Sequence, residues 1–111
     1  MSNHSKSIMQ SEDDEYAYCF LTYKNTNLER HHIFNGPKRD WSEKNGCWIW
    51  LDHNVHMWLH QTRYGRREMY RLKAIAQKKW EKVHANDYDH KYKNAHDQFM
   101  HEVGKDYGKY L

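Results

Sequence analysis

The chain has 111 residues, a mean hydropathy of −1.27 and seventeen large aromatics (five Trp, nine Tyr, three Phe). That length suits one domain with a small core, which a few large rings can fill. No apolar run approaches the roughly 18 residues of a membrane span. The first fifteen residues lack the apolar centre of a signal peptide, and Cys19 and Cys47 are too few for a disulfide framework. A cytoplasmic protein that engages no membrane is expected. The formal net charge of +3 is unevenly spread, because residues 63–93 hold ten Lys or Arg against four Asp or Glu. A basic segment of this kind suits either a phosphate-bearing partner or a solvated helix face.

Residues 1–14 are polar, lack periodicity and end in the acidic run Glu12-Asp13-Asp14. They read as a disordered arm, followed by a single domain over 15–111. Glu15 to Tyr23 is rich in aromatics and suits a strand. Lys24 to Asn27 is a turn signal, and Leu28 to Phe34 reads as the returning strand of a hairpin. Asn35-Gly36-Pro37 breaks it. Lys38 to Asn45 suits a loop with one helical turn, and Gly46 suits its C-cap.

Cys47 to Leu51, CWIWL, is short, apolar and β-prone, and predicts a buried strand. Asp52 is a good N-cap, so a helix should begin at His53. The next break is read within Gln61–Gly65. Arg66 to His84 predicts a helix with Met69, Leu72, Ala76, Trp80 and Val83 on its inner stripe. A last helix is expected from about Asp89 to Val103, with Tyr92, Ala95, Phe99 and Val103 inward and Gly104 ending it.

Ten histidines in 111 residues are the least ordinary feature. Histidine is the commonest metal ligand and the usual acid–base side chain near neutral pH. His31 and His32 are adjacent at the end of a predicted strand. His53, His56 and His60 stand at i, i+3 and i+7 of a predicted helix, and so share one face. A hairpin ending in His-His, a loop, a short strand and a histidine-bearing helix is a ββα arrangement. Such a unit could gather a divalent cation, a general base and backbone-holding cations around one phosphodiester. His4, His84, His90, His96 and His101 read as ordinary surface or core residues.

Together these residues resemble the HNH, or ββα-metal, endonuclease superfamily. More narrowly, they resemble small phage and prophage HNH-type nucleases, including the RecA-dependent recombination-enhancement type. The resemblance is carried by Leu28-Glu29-Arg30-His31-His32-Ile33-Phe34 and by Gly36-Pro37-Lys38-Arg39. Ser42-Glu43-Lys44, Gly46, Trp50-Leu51 and His53 with His56 continue it. Ala76 to Glu81, Phe99-Met100, Gly104-Lys105 and Tyr107 complete it, so that it covers about Cys19 to Leu111.

The resemblance implies an α+β fold: a ββα-metal core with an N-terminal β-hairpin, a short third strand, a metal-bearing helix and two C-terminal helices. It implies that His31 and His56 ligate the metal, with His53 a further ligand or electrostatic partner. It implies that His32 is the general base and that Asn45 fixes it. Lys38, Arg39, His60, Arg66 and Arg67 are the expected nucleic-acid contacts. The ion expected is Mg2+ first, with Mn2+, Ni2+ and Zn2+ also suited to histidine ligands.

Many relatives carry a structural zinc on two Cys-x-x-Cys knuckles. Here Thr22 follows Cys19 at the third position, and Asp52 and Val55 stand on the helix side. No four-cysteine zinc is therefore expected, and packing of Phe20, Trp48 and Trp50 is expected in its place. The function implied is metal-dependent DNA cleavage in a bacterial or phage-infected cell, with a host or phage recombination protein as a further partner. The alternatives are a nucleic-acid-binding or recombination-accessory module that keeps the fold without cleavage, and a metal-binding structural protein.

Overall fold

A computed structural model of the chain describes residues 5–10 and 17–111. It is a small α+β domain. Strand β1 (Leu28–His32) pairs antiparallel with β2 (Trp48–Asp52), in the register Leu28 to Asp52 and His32 to Trp48. Among the described residues four helices complete it: α1 (Arg39–Lys44), α2 (His53–Gln61), α3 (Arg63–Val83) and α4 (Ala95–Val103). Single 3-10 turns lie at Gly36–Lys38 and Gly108–Tyr110. Among the described residues no helix is long and apolar enough to cross a membrane.

Among the described residues the expected N-terminal hairpin is not formed. Glu15 and Tyr16 lie outside the described residues. From Ala17 onward the chain turns, with Tyr23 N–H on the Cys19 carbonyl (2.8 Å) and Tyr23 in the left-handed region at φ 65°. Aromatic content favours extended chain, but this turn leaves no run to pair. β1 instead pairs across the α1 excursion with the Trp48–Asp52 strand, the one expected to be third.

The outer edge of β2 is covered by side chains and single backbone contacts. Gln10 Oε1 accepts from Trp50 N–H (2.6 Å), Ser7 Oγ donates to the Trp48 carbonyl (2.6 Å), and Phe20 N–H reaches the Trp50 carbonyl (2.8 Å). Ser5–Gln10 is therefore packed, with Met9 and Gln10 buried, although it falls in the stretch expected to be disordered. Residues 1–4 and 11–14 of that stretch lie outside the described residues. An otherwise open strand edge explains why a polar segment is held there.

The turn after α1 is set by Gly46. Its φ is 71°, and a Cβ there would stand 2.3 Å from the Lys6 carbonyl oxygen, so both conformation and space require glycine. Buried Ser42 ties α1 to its neighbours, accepting from Phe34 N–H (3.1 Å) and donating to the Cys47 carbonyl.

Asp52 ends β2 and caps α2, accepting from Asn54 N–H (2.8 Å) and Val55 N–H (3.4 Å). Strand therefore passes into helix without a loop, which fixes the first turn of α2 against β1. Thr62 alone separates α2 from α3. It donates to the Trp58 carbonyl (2.8 Å) and accepts from Gly65 N–H (2.9 Å). The break is one residue long, and Gly65 lies inside α3. A Cβ on Gly65 would sit 2.0 Å from the Trp58 carbonyl oxygen, so glycine permits the close helix approach there.

The core is aromatic, though centred elsewhere than on Trp48 and Trp50. Phe34, Trp41, Trp80 and Phe99 meet with ring centroids 5.5–5.9 Å apart. Leu72, Ala76 and Trp80 of α3 are buried, whereas Val83 at its end is 58% exposed. α4 begins at Ala95, six residues later than expected. Asn94 caps it by accepting from Asp97 N–H (2.8 Å), and Asp89 holds Lys91 N–H (3.1 Å) in a preceding turn. Asn and Asp side chains compete with the helix for backbone donors, which is why the onset moves to the last of them.

Candidate metal centre and adjoining histidine pair

Side chains two apart on a strand share a face. Glu29 and His31 face α2, while Arg30 and His32 face α1. The turn-free junction at Asp52 brings His56, one helical turn in, against His31. His31 Nδ1 and His56 Nε2 are 3.3 Å apart, and His60, one turn further, closes the group. The three rings have centroids 5.1 Å (31–56), 5.6 Å (31–60) and 5.0 Å (56–60) apart. One nitrogen from each of His31, His56 and His60 lies within 4.8 Å of the others. Nitrogens around a tetrahedral ion at about 2.1 Å are roughly 3.4 Å apart. The His31–His56 pair already stands near that separation, so the donor set fits a borderline divalent cation.

The electrostatics favour neutral imidazoles. Burial, followed by the neighbouring charges of His56, His60 and His32, lowers the His31 pKa to about 3. Burial, then His56, lowers that of His60 as well. A neutral ring presents a lone pair, so lowered basicity at His31 and His60 suits them to a cation. Glu29 orients the set. Its carboxylate accepts from His56 Nδ1 (2.9 Å) with one oxygen and from His53 Nδ1 (2.8 Å) with the other. Those hydrogen bonds hold its pKa below the usual carboxylate value. With Nδ1–H spent on Glu29, His56 keeps its Nε2 lone pair toward His31, the arrangement by which a carboxylate fixes a ligand tautomer.

His53 is expected as a further ligand or an electrostatic partner, and His60 as a phosphate contact. The structure groups His60 with His31 and His56, and sets half-exposed His53 on Glu29 as an electrostatic partner of the set. All three helix histidines share a face. The i, i+4 pair His56 and His60 straddles His31, while His53 is drawn off by Glu29.

His32 lies on the other face. Its Nε2 is 2.7 Å from Glu43 Oε2, and Glu43 Oε1 is 3.0 Å from an Arg30 guanidinium nitrogen. Arg30 in turn stacks over Trp48 at 4.1 Å. With Nε2–H donated to Glu43, the His32 Nδ1 carries the lone pair. Asn45, expected to fix this histidine, is engaged elsewhere: its amide donates to the Trp41 carbonyl (2.8 Å), and its oxygen accepts from Trp80 Nε1 (2.9 Å). Glu43 from α1 is the residue that orients His32.

The end of β1 brings both faces onto one open cleft of about 270 Å³, lined by Arg30, His31, His32, Asn35, Arg39, His56 and His60. Arg39 thus lies beside the histidines. Lys38 is turned away, donating to the Glu102 carbonyl (2.7 Å) at the end of α4. Arg66 lies with His60 in an adjoining groove, and Arg67 sits 5.8 Å over the Tyr64 ring. Cys19 and Cys47 are free and buried, and burial pushes the Cys47 thiol up to about 12. The one sequence signal for Glu29 is its place two before His31 on the same strand face. Glu43 belongs to the Ser42-Glu43-Lys44 stretch of the resemblance, but its pairing with His32 depends on how α1 packs against β1.

Comparison with family models, with curated proteins and with solved structures gives no match for this chain.

Proposed function

We propose that the chain is a metal-dependent DNA endonuclease of the HNH type. The observation that carries this reading is the meeting of the His31–His56–His60 cluster and the Glu43-held His32 on one cleft that Arg30 and Arg39 also line. His31, His56 and His60 would hold a divalent cation, with Glu29 fixing the tautomer of His56. A cation there would polarise the scissile phosphate and stabilise the leaving oxygen. His32 acts as general base through Nδ1, taking the proton of the attacking water. Glu43 accepts from Nε2–H and stabilises the imidazolium that forms. Arg39, at the cleft's rim, supplies charge to the nucleic-acid backbone. Three imidazoles suit Zn2+, Ni2+ or Mn2+ better than Mg2+, which prefers oxygen ligands, so the order of metals expected from the sequence is revised.

The test is nicking of supercoiled plasmid with each of these four metals and with EDTA, repeated with a recombination protein present. Cleavage should require metal and fall by roughly 10²- to 10⁴-fold in His32→Ala, the usual worth of a positioned base. Absence of cleavage under all of these conditions overturns the proposal. DNA binding that is salt-sensitive and indifferent to His32→Ala would then favour the accessory-module reading.

A further inference from the structure

Beside the cleft lies a group that the cleavage chemistry does not use. Tyr70 of α3, Tyr107 and Tyr110 form a three-ring cluster, with Tyr70 and Tyr110 centroids 4.8 Å apart and inclined by 31°. Ammonium groups crowd onto it. Lys105 Nζ stands 5.4, 5.3 and 5.8 Å from the centroids of Tyr70, Tyr107 and Tyr110. Lys73 Nζ is 5.2 Å from Tyr70 and 5.4 Å from Tyr107, and Lys109 Nζ is 5.3 Å from Tyr110.

Among the described residues, none of these three lysines is in an ion pair. The neighbouring Asp106 carboxylate is turned to Gln77 and to its own backbone at Gly108. Burial, then Lys105, lowers the pKa of Lys73, so the fold bears a cost for keeping the two together. Aromatic contact offsets part of that cost, but a clasp for the C-terminus needs only one cation. Tyr70 is 39% exposed. It also lines, with Arg66, Met69 and Lys73, a groove of about 170 Å³ that includes His60. The platform is thus continuous with the metal centre.

We propose that this surface binds single-stranded DNA next to the scissile phosphate, with an unpaired base stacked on Tyr70 and neighbouring phosphates held by Arg66, Lys73 and Lys105. Rings interleaved with unpaired cations are what a single strand requires, since its bases expose their faces and its phosphates follow at each nucleotide. A duplex offers the phosphates but keeps its base faces stacked, so the rings would gain nothing from it. The strand's alignment toward His60 rests on the nuclease reading, while the platform itself can be tested without cleavage.

The experiment is fluorescence anisotropy in EDTA, where no strand is cut, with a short labelled oligonucleotide either single-stranded or annealed to its complement. The single strand should bind tighter. Tyr70→Ala should weaken it roughly ten-fold, and Tyr70→Phe should restore the affinity. Replacing Lys73 and Lys105 together by glutamine removes two phosphate contacts. The slope of log affinity against log salt should become shallower by about 1.4, and the melting temperature should hold or rise as the repulsion is relieved.

Equal or tighter duplex binding overturns the proposal, as does a folded Tyr70→Ala protein that binds like the wild type. A lysine double variant that keeps its affinity and melts lower also overturns it, because a C-terminal clasp alone behaves that way. Single-strand binding with these variant effects but no cleavage by any metal sinks the nuclease reading and leaves the platform. Metal-dependent cleavage with an inert Tyr70→Ala does the reverse.

Discussion

His31 and His32 are neighbours in sequence, yet the two faces of β1 place them in opposite surroundings. His31 is 4% exposed among other imidazoles and is kept neutral, with a pKa near 3. His32 is paired with a carboxylate that also binds Arg30. A ligand must offer a lone pair to a cation, whereas a base must be able to accept a proton and have the resulting charge stabilised. Under the proposed function, strand alternation alone would separate the two tasks across one peptide bond.

Metal removal should have the largest effect. A site at one hundred times its dissociation constant contributes about 2.7 kcal/mol. Stripping Zn2+ or Ni2+ with a chelator should therefore lower the melting temperature by roughly ten degrees or more for a domain of this size. His60→Ala should abolish most of that shift. His53→Ala, acting only through Glu29, should change it little. A larger effect from His53 than from His60 would mean that the ligand set is wrong.

Glu43→Gln sharpens the other face. The amide can still accept from His32 Nε2–H but no longer stabilises the charged ring, so cleavage should fall about ten-fold while the metal-induced melting shift stays at the wild-type value. Loss of both together would make Glu43 a structural residue and not a positioning one.

The smallest effect per step concerns pH in the metal-free protein. His31 has its folded pKa lowered to about 3 from an ordinary 6.5. Between those values the unfolded chain binds a proton that the folded one does not. Stability is thus full above about pH 6.5 and is lost as pH falls, by up to about 1.4 kcal/mol for each unit. Denaturant titrations in chelator should show this slope in the wild type and a shallower one in His31→Gln. An unchanged slope in the variant would assign the acid sensitivity to other groups.

Much of this was legible in the sequence where the cause is local. Asp52 announced the start of α2, Gly46 the end of α1, and the Leu72, Ala76 and Trp80 spacing the buried face of α3. The adjacency of His31 and His32 at a strand end pointed to the site, and helical spacing supplied His56. What was not legible depends on distant partners. The partner of β1 is chosen by the fold, and an aromatic segment from Ala17 to Tyr23 reads as a strand until its turn is seen. Ser5–Gln10 gave too short an apolar signal, because only Ile8 and Met9 pack on the core while the Ser7 hydroxyl and the Gln10 amide hold the segment to β2. The choice between His53 and His60 turns on Glu29, which shares a strand face with His31 but looks like any surface glutamate. The resemblance implied that Asn45 holds His32, yet the indole of Trp80, thirty-five residues away, takes it.

We propose that, of two adjacent histidines, His31 would hold a cation and His32 would not. Calorimetric titration of Zn2+ into His31→Ala and His32→Ala tests it directly. His32→Ala should bind one ion per chain with wild-type affinity, and His31→Ala should lose at least ten-fold. Equal loss in both variants, or undiminished binding in His31→Ala, would contradict the account.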